Sequence, residues 1–258
     1  MISTPARFQT LEKLEVLTDL EQGTLLFAIM SAPMLRSLEL TFSEKLRIKQ
    51  FRRFLDLVCP KLTSCSHLAL HVRLSRNRDP QSLMYILTPL LMLKDLRTIS
   101  ASVTTSPGLS LSDQDIIDLA VAWPRAKVIE LDYEYSSPPL VTSLVHFAQH
   151  CPDLTSLTLP CMDFSLVSIS KRDYPILSHG LIRLDIGEYC SIPDPVAAAL
   201  FLHCIFPKVE SELFGINYSI EVPDCWSVFI NTLDALKFAR ERESVRQAPS
   251  NYNSNSSD

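Results

Sequence analysis

The stretch Leu111-Ser-Asp-Gln-Asp-Ile-Ile-Asp-Leu-Ala-Val-Ala-Trp-Pro-Arg-Ala-Lys-Val-Ile-Glu-Leu-Asp132 decides the fold. Ser112 and Asp115 form a capping-box variant, in which each side chain satisfies the other residue's free backbone N–H at a helix start. Ile116, Leu119, Ala120 and Trp123 follow at helical spacing. Pro124 ends the helix, because proline crowds the residue before it out of helical geometry. Ile129-Glu130-Leu131-Asp132 then alternates apolar and polar, the pattern of a strand with one buried face. Cap, helix, proline and strand make one unit.

That unit recurs. Strand phrases appear at Pro33-Met-Leu35-Arg-Ser-Leu38-Glu-Leu40, at Pro60-Lys-Leu62 running to His67-Leu68-Ala-Leu70, and at Leu96-Arg-Thr-Ile99-Ser-Ala101. They return at Pro152-Asp-Leu154-Thr-Ser-Leu157-Thr-Leu159, at Leu181-Ile-Arg-Leu184-Asp-Ile186, and in a last copy from Pro207-Lys-Val209 to Leu213. The first apolar residues, 35, 62, 96, 126, 154, 181 and 209, are 27, 34, 30, 28, 27 and 28 apart. Asp79-Pro80, Ser137-Pro138 and Asp194-Pro195 read as an N-cap followed by a proline at the first helical position. Cys59-Pro60, Trp123-Pro124, Cys151-Pro152 and Phe206-Pro207 read as helix stops. Val141, Leu144, Val145 and Ala148 mark another helix face. Each unit is expected to be a short strand plus a helix of about three turns.

Repeated βα units can close into a barrel or stay open. Barrel strands are buried on both faces and read as continuous apolar runs. These alternate: Leu38-Glu39-Leu40, Leu157-Thr158-Leu159, Leu184-Asp185-Ile186. The expectation is an α/β fold, an open leucine-rich-repeat solenoid (horseshoe) of about seven strand-helix repeats.

Residues 111–132, together with His146-Phe-Ala-Gln-His-Cys-Pro-Asp-Leu-Thr-Ser-Leu-Thr-Leu159, resemble the cysteine-containing leucine-rich repeats of F-box proteins. Leu177-Ser-His-Gly-Leu-Ile-Arg-Leu-Asp-Ile-Gly187, Ile192-Pro-Asp-Pro-Val196 and the run from Phe201 to Pro207 are similar to the repeat regions of fungal F-box-like proteins. The resemblance covers residues 25 to 215. It implies a non-catalytic protein–protein interaction module, the substrate-recognition region of an F-box-type ubiquitin ligase receptor. The F-box, a helical module opening with a Leu-Pro pair, is not in residues 1 to 24, so a ligase adaptor is an expected partner only if an F-box lies upstream. The alternative is a stand-alone leucine-rich-repeat scaffold with no ubiquitin role. A third, an enzyme on a βα barrel, would need convergent polar groups and glycine-bearing loops at strand ends.

Composition narrows the field. The chain has 24 Lys and Arg against 29 Asp and Glu, a net charge of −5, so no basic face is expected for nucleic acid and no polybasic segment for an anionic membrane. The five glycines, at 23, 108, 180, 187 and 215, stand far apart, whereas phosphate-cradling loops need them clustered. Seven cysteines without a Cys-x-x-Cys pair suggest reduced thiols and neither a zinc ribbon nor a redox motif. No secretory signal opens the chain, and its most apolar windows are too short for a bilayer. The expected location is cytoplasmic or nuclear, with no cofactor and no metal.

Residues 1–24 read as a degenerate first repeat or cap, 25–223 as the solenoid, 224–246 as a capping helix and 247–258 as a disordered polar tail. Asp224 caps that helix in this reading, and Trp226, Phe229, Ile230, Leu233 and Leu236 form its apolar face. His146 and His150, four apart, could chelate a metal but lack the glutamate of a zinc protease; both are expected to face solvent. Cys59, Cys151 and Cys161 are expected to be buried packing groups. The candidate site is the outward row of strand side chains, a concave strip for a protein ligand: Glu39, Thr41, His67, His71, Thr98, Ser100, Glu130, Asp132, Ser156, Thr158, Arg183 and Asp185.

Overall fold

The computed structural model describes residues 6–76, 81–167, 174–187, 190–210 and 224–247. The chain runs through β1 (Ala6–Arg7), β2 (Lys13–Thr18), α1 (Leu20–Ile29), β3 (Met30–Ser31), β4 (Ser37–Leu46), α2 (Ile48–Val58), β5 (His67–Leu74) and β6 (Gln81–Ser82). Next come α3 (Leu83–Leu87), β7 (Thr98–Thr104), β8 (Leu109–Ser110), α4 (Asp113–Ala122), β9 (Val128–Tyr133) and β10 (Tyr135–Ser137). The last elements are α5 (Val145–His150), β11 (Ser156–Thr158), β12 (Arg183–Asp185), α6 (Pro195–Ile205) and α7 (Asp224–Gln247).

A seven-stranded, all-parallel sheet in the order β2-β4-β5-β7-β9-β11-β12 organises this mixed α/β fold. Among the described residues its edge strands are β2 and β12, which do not pair with each other. Each unit enters its strand in the same way, with one backbone carbonyl accepting two successive N–H groups from the next unit. Glu12 takes Arg36 and Ser37, Arg36 takes Ser66 and His67, and Ser66 takes Arg97 and Thr98. Arg97, Lys127 and Thr155 continue the series. These bonds hold the register, and register matters because a one-residue slip would turn every side chain to the other face. Leu38, Leu68, Ile99, Ile129, Leu157 and Leu184 therefore stack in line, all buried.

The second copy starts on Cys65, not Leu62. Each strand is preceded by a turn in which the first core residue donates to the carbonyl three residues back: Leu35 to Ala32, Cys65 to Leu62, Leu96 to Leu93, Ala126 to Trp123, Leu154 to Cys151. Leu62 belongs to a separate 3-10 turn over Cys59–Lys61. With Cys65 in place the uneven spacing around this copy becomes even, 30 residues from Leu35 and 31 to Leu96.

Helices cover the face bearing these leucines. Phe42 of β4 meets Phe51 and Phe54 of α2 edge-on, with ring centroids 5.5 and 5.2 Å apart. Not every helix reaches three turns. α3 has five residues and α5 six, each joined to a 3-10 segment, Thr88–Met92 and Val141–Leu144. Pro89 stands in the first turn of one such segment, where its missing N–H cannot continue the α-helical pattern.

The Ser112–Asp115 capping box forms, as does the Asp194 cap, whose carboxylate accepts from Ala197 N at 3.0 Å. Ser137 does not cap a helix: it ends β10, and helical structure begins only at Val141. The Asp79-Pro80 cap lies outside the described residues; α3 begins at Leu83, capped by Ser82. Asp224 is the first residue of α7 rather than its cap. The strand expected near Leu213 and the tail from residue 248 also lie outside the described residues. The boundary drawn between residues 24 and 25 falls within α1, and β2 already belongs to the main sheet.

One layer has no counterpart in the sequence reading. β6, β8 and β10 form a second, three-stranded parallel sheet between the main strands and the helices that follow them. A Cβ on Gly108 would lie 2.6 Å from the carbonyl oxygen of Glu134, so glycine is needed where the backbones pass. Side chains also tie each unit to the one before. Trp123 Nε1 donates to Leu90 O (3.3 Å), Cys151 Sγ to Ala120 O (3.4 Å) and Lys61 Nζ to Ala28 O (3.1 Å). The Ala28 and Ala120 carbonyls lie in the last turns of α1 and α4, where a helix leaves its carbonyls without a partner of its own. At the far end α7 buries Trp226, Phe229 and Leu233. Among the described residues no helix is long and apolar enough to cross a membrane.

Candidate functional site

The sheet face opposite the helices carries all the outward-pointing residues expected from the sequence, and strand register sorts them into three rows. The first runs Lys13, Ser37, His67, Thr98, Val128, Ser156, Arg183. The second runs Glu15, Glu39, Ala69, Ser100, Glu130, Thr158, Asp185. The third runs Leu17, Thr41, His71, Ser102, Asp132. His67, Asp132 and Arg183 are exposed, while Glu39, Thr41, His71, Thr98, Ser100, Glu130, Ser156, Thr158 and Asp185 are half-buried by their neighbours in the rows. Parallel pairing is what makes rows of this kind, since it puts equivalent positions of successive units side by side.

The second row is acidic, with carboxylates on β2, β4, β9 and β12. Two of these are engaged at the β2 end: Lys13 Nζ lies 2.5 Å from Glu15 Oε1, and His71 Nε2 lies 4.0 Å from Glu39 Oε1. The Glu15 carboxylate raises the Lys13 ammonium above its usual range, first through the hydrogen bond and then through its charge. Ser102 Oγ donates to Asp132 Oδ2 at 3.0 Å and fixes that carboxylate across two strands.

Several members of the face were not singled out in the sequence. Ser102 continues the alternation of Thr98 and Ser100, so the same period-two reading reaches it. Leu17, 73% exposed, sits on β2, within the residues whose sequence reads as a cap. With Thr41, His71, Arg73, Ser102 and Thr104 it lines a shallow groove of about 330 Å³ over the C-terminal ends of the first strands. Arg73 reaches its place by donating from Nη2 to Ser43 O at 2.8 Å.

No protein-family model matches this chain, and no curated protein matches it.

The His146 and His150 rings stack 6.4 Å apart. His150 is exposed, but His146 is half-buried rather than facing open solvent. Burial lowers the His146 imidazole below its usual value, and His150 adds to the effect. Among the described residues no three His, Cys, Asp or Glu side chains gather as a metal site would require. Cys59 and Cys151 are buried, and burial pushes both thiols up to about 12. Trp123 and Phe206, in equivalent pre-proline positions, are both fully buried core residues.

Proposed function

We propose that this chain is a leucine-rich-repeat solenoid that binds a protein ligand on its uncovered sheet face, as the non-catalytic substrate-recognition region of an F-box-type ubiquitin ligase receptor. One observation carries the binding reading: a seven-stranded sheet with helices on one face presents three in-register rows of mostly polar side chains on the other. Repeated βα units use such a face to supply area rather than a pocket. Glu130 and Asp185 of the acidic second row, two strands apart, with Asp132 beside Glu130 in the third row, suit a ligand that brings basic side chains. The ubiquitin role rests on the resemblance of residues 111–132, 146–159 and 177–207 to F-box-protein repeats. A ligase adaptor enters only with an F-box.

The test is cross-linking in the protein's native cells, comparing the wild-type chain with the E130K/D132K/D185K variant. Loss of the partners captured by the wild type, with ligase components or ubiquitinated proteins among them, supports the proposal. Retention of every partner by the variant sinks the face as the binding site. A partner set that depends on the face but contains no ligase component assigns the chain to the stand-alone scaffold class.

A further inference from the structure

The sulfurs of Cys161 and Cys190 lie 2.7 Å apart, in successive units and 29 residues apart in sequence. Both are buried, with exposures of 5% and 4%. Their placement is held by the backbone around them: Met162 N donates to Cys190 Sγ at 3.1 Å, and Ile186 O lies 3.1 Å from the same sulfur. The two sulfurs are thus aimed at each other, short of the ~2.0 Å of a disulfide bond by only ~0.7 Å. The other cysteine contacts are of a different kind, such as Cys151 Sγ lying 3.4 Å from a backbone carbonyl.

We propose that Cys161 and Cys190 form a dithiol that a hydroperoxide converts to a disulfide. The Cys161 thiolate attacks the terminal peroxide oxygen, the O–O bond breaks, and the departing alkoxide takes a proton to leave as an alcohol, or as water from hydrogen peroxide. Cys161 is then a sulfenic acid. The Cys190 sulfur attacks the Cys161 sulfur, the S–O bond breaks, and hydroxide leaves as water with the proton Cys190 gives up. Two thiols and one hydroperoxide become one disulfide, one alcohol and one water. Each sulfur is oxidised by one electron and the peroxide is reduced by two.

The order of attack follows from the surroundings. The Cys190 S–H and the Tyr135 hydroxyl both donate to Cys161, and with the backbone around Met162 they outweigh burial and hold its thiol below its ordinary value, while Cys190 is pushed up. Thiolate character selects the attacking sulfur. Tyr135 is 38% exposed, so the group touching Cys161 also borders solvent. Cys59, Cys65 and Cys151 are instead kept as thiols by burial. Because Trp226 Nε1 donates to Cys190 O at 3.0 Å, the bond would also tie the α7 contact to the preceding units.

The experiment treats the reduced full-length chain with hydrogen peroxide near neutral pH, alkylates under denaturing conditions, and reads intact mass and a non-reducing peptide map. The expected result is a mass lower than that of the alkylated reduced control by two alkyl groups and about 2 Da more, a peptide pair joined through Cys161 and Cys190, and full reversal by dithiothreitol. In C190S, dimedone should trap a sulfenic acid on Cys161. The wild-type map decides the matter whether or not the variant folds. Complete alkylation of both cysteines after peroxide treatment overturns the proposal, as does a disulfide formed through Cys204 or Cys225 in their place.

Discussion

His179 Nε2 lies 2.8 Å from the main-chain carbonyl of Cys151, and its Nδ1 lies 3.1 Å from the N–H of Leu181. A backbone N–H can only donate, so Nδ1 offers a lone pair and Nε2 carries the proton. The ring is 7% exposed and packs edge-on against Phe206. It therefore joins the unit ending at Cys151 to the strand beginning at Arg183. Replacing His179 by alanine leaves the buried Leu181 N–H without its acceptor and the Cys151 carbonyl with Leu154 N–H alone, at a cost of about 1–3 kcal/mol. Urea unfolding measures it. A loss below about 1 kcal/mol would mean that water takes over the Leu181 N–H and the ring is not the joint described.

Gly187 and Gly180 make opposite predictions for the same substitution. Gly187 has φ +70°, and a Cβ there would lie 2.1 Å from Pro160 O. Gly180 has no heavy atom within 4 Å of that position. G187A should lose about 1–3 kcal/mol from backbone strain alone, with the clash against Pro160 adding to it. G180A should stay within about 0.5 kcal/mol of the wild type. Thermal melts of the two variants compare them directly, and equal effects would remove the case for a left-handed backbone at Gly187.

Much of this fold was legible because local chemistry and long-range packing agree. Ser112 and Asp194 cap helices where their side chains reach first-turn N–H groups, Asp115 reaches back to the Ser112 N–H, and Leu38, Ile129 and Leu157 alternate with polar neighbours because one sheet face is buried. The failures share a cause: the deciding partner is remote in sequence. Leu62 looks like Leu35, and only the turn bonds pick out Cys65. Ser137-Pro138 has the composition of a cap, but Ser137 pairs with Ser110 in the second sheet. His179 carried no pattern at all, since its role depends on a carbonyl 28 residues away. For the candidate site, alternation identified the outward residues but not the rows, which depend on the register between strands.

Acid should weaken the fold through two histidines. Burial lowers the His146 and His203 imidazoles below the ordinary 6.5; His150 reinforces it for the first and Arg240 of α7 for the second. A lowered imidazole value means that the unfolded chain binds protons more readily than the folded one, so stability rises with pH across the gap. The contribution is present above pH 6.5 and is lost as pH falls from there through the lowered folded values. Urea midpoints measured downward from neutral pH should fall in that window, and an H146Q/H203Q variant should show a shallower decline. An identical decline in the variant would assign the acid sensitivity to other groups.

Phe229 tests how far a local loss spreads. It is fully buried in α7, with Phe164 at 6.3 Å and Trp226 at 5.5 Å between ring centroids. Its replacement by alanine should cost about 3–5 kcal/mol where it packs. The main strand contacts run between neighbours, β2 with β4, β4 with β5, β5 with β7, β7 with β9 and β9 with β11, and α7 packs mainly on α6. In such an array each unit is stabilised by its own contacts and those of its two neighbours, so damage at one end need not reach the other. Hydrogen exchange in F229A should therefore quicken in α6, α7 and β12 while β4, β5 and β7 keep their protection. A uniform rise along the whole chain would instead show that the sheet opens as one cooperative unit, with α7 holding all of it closed.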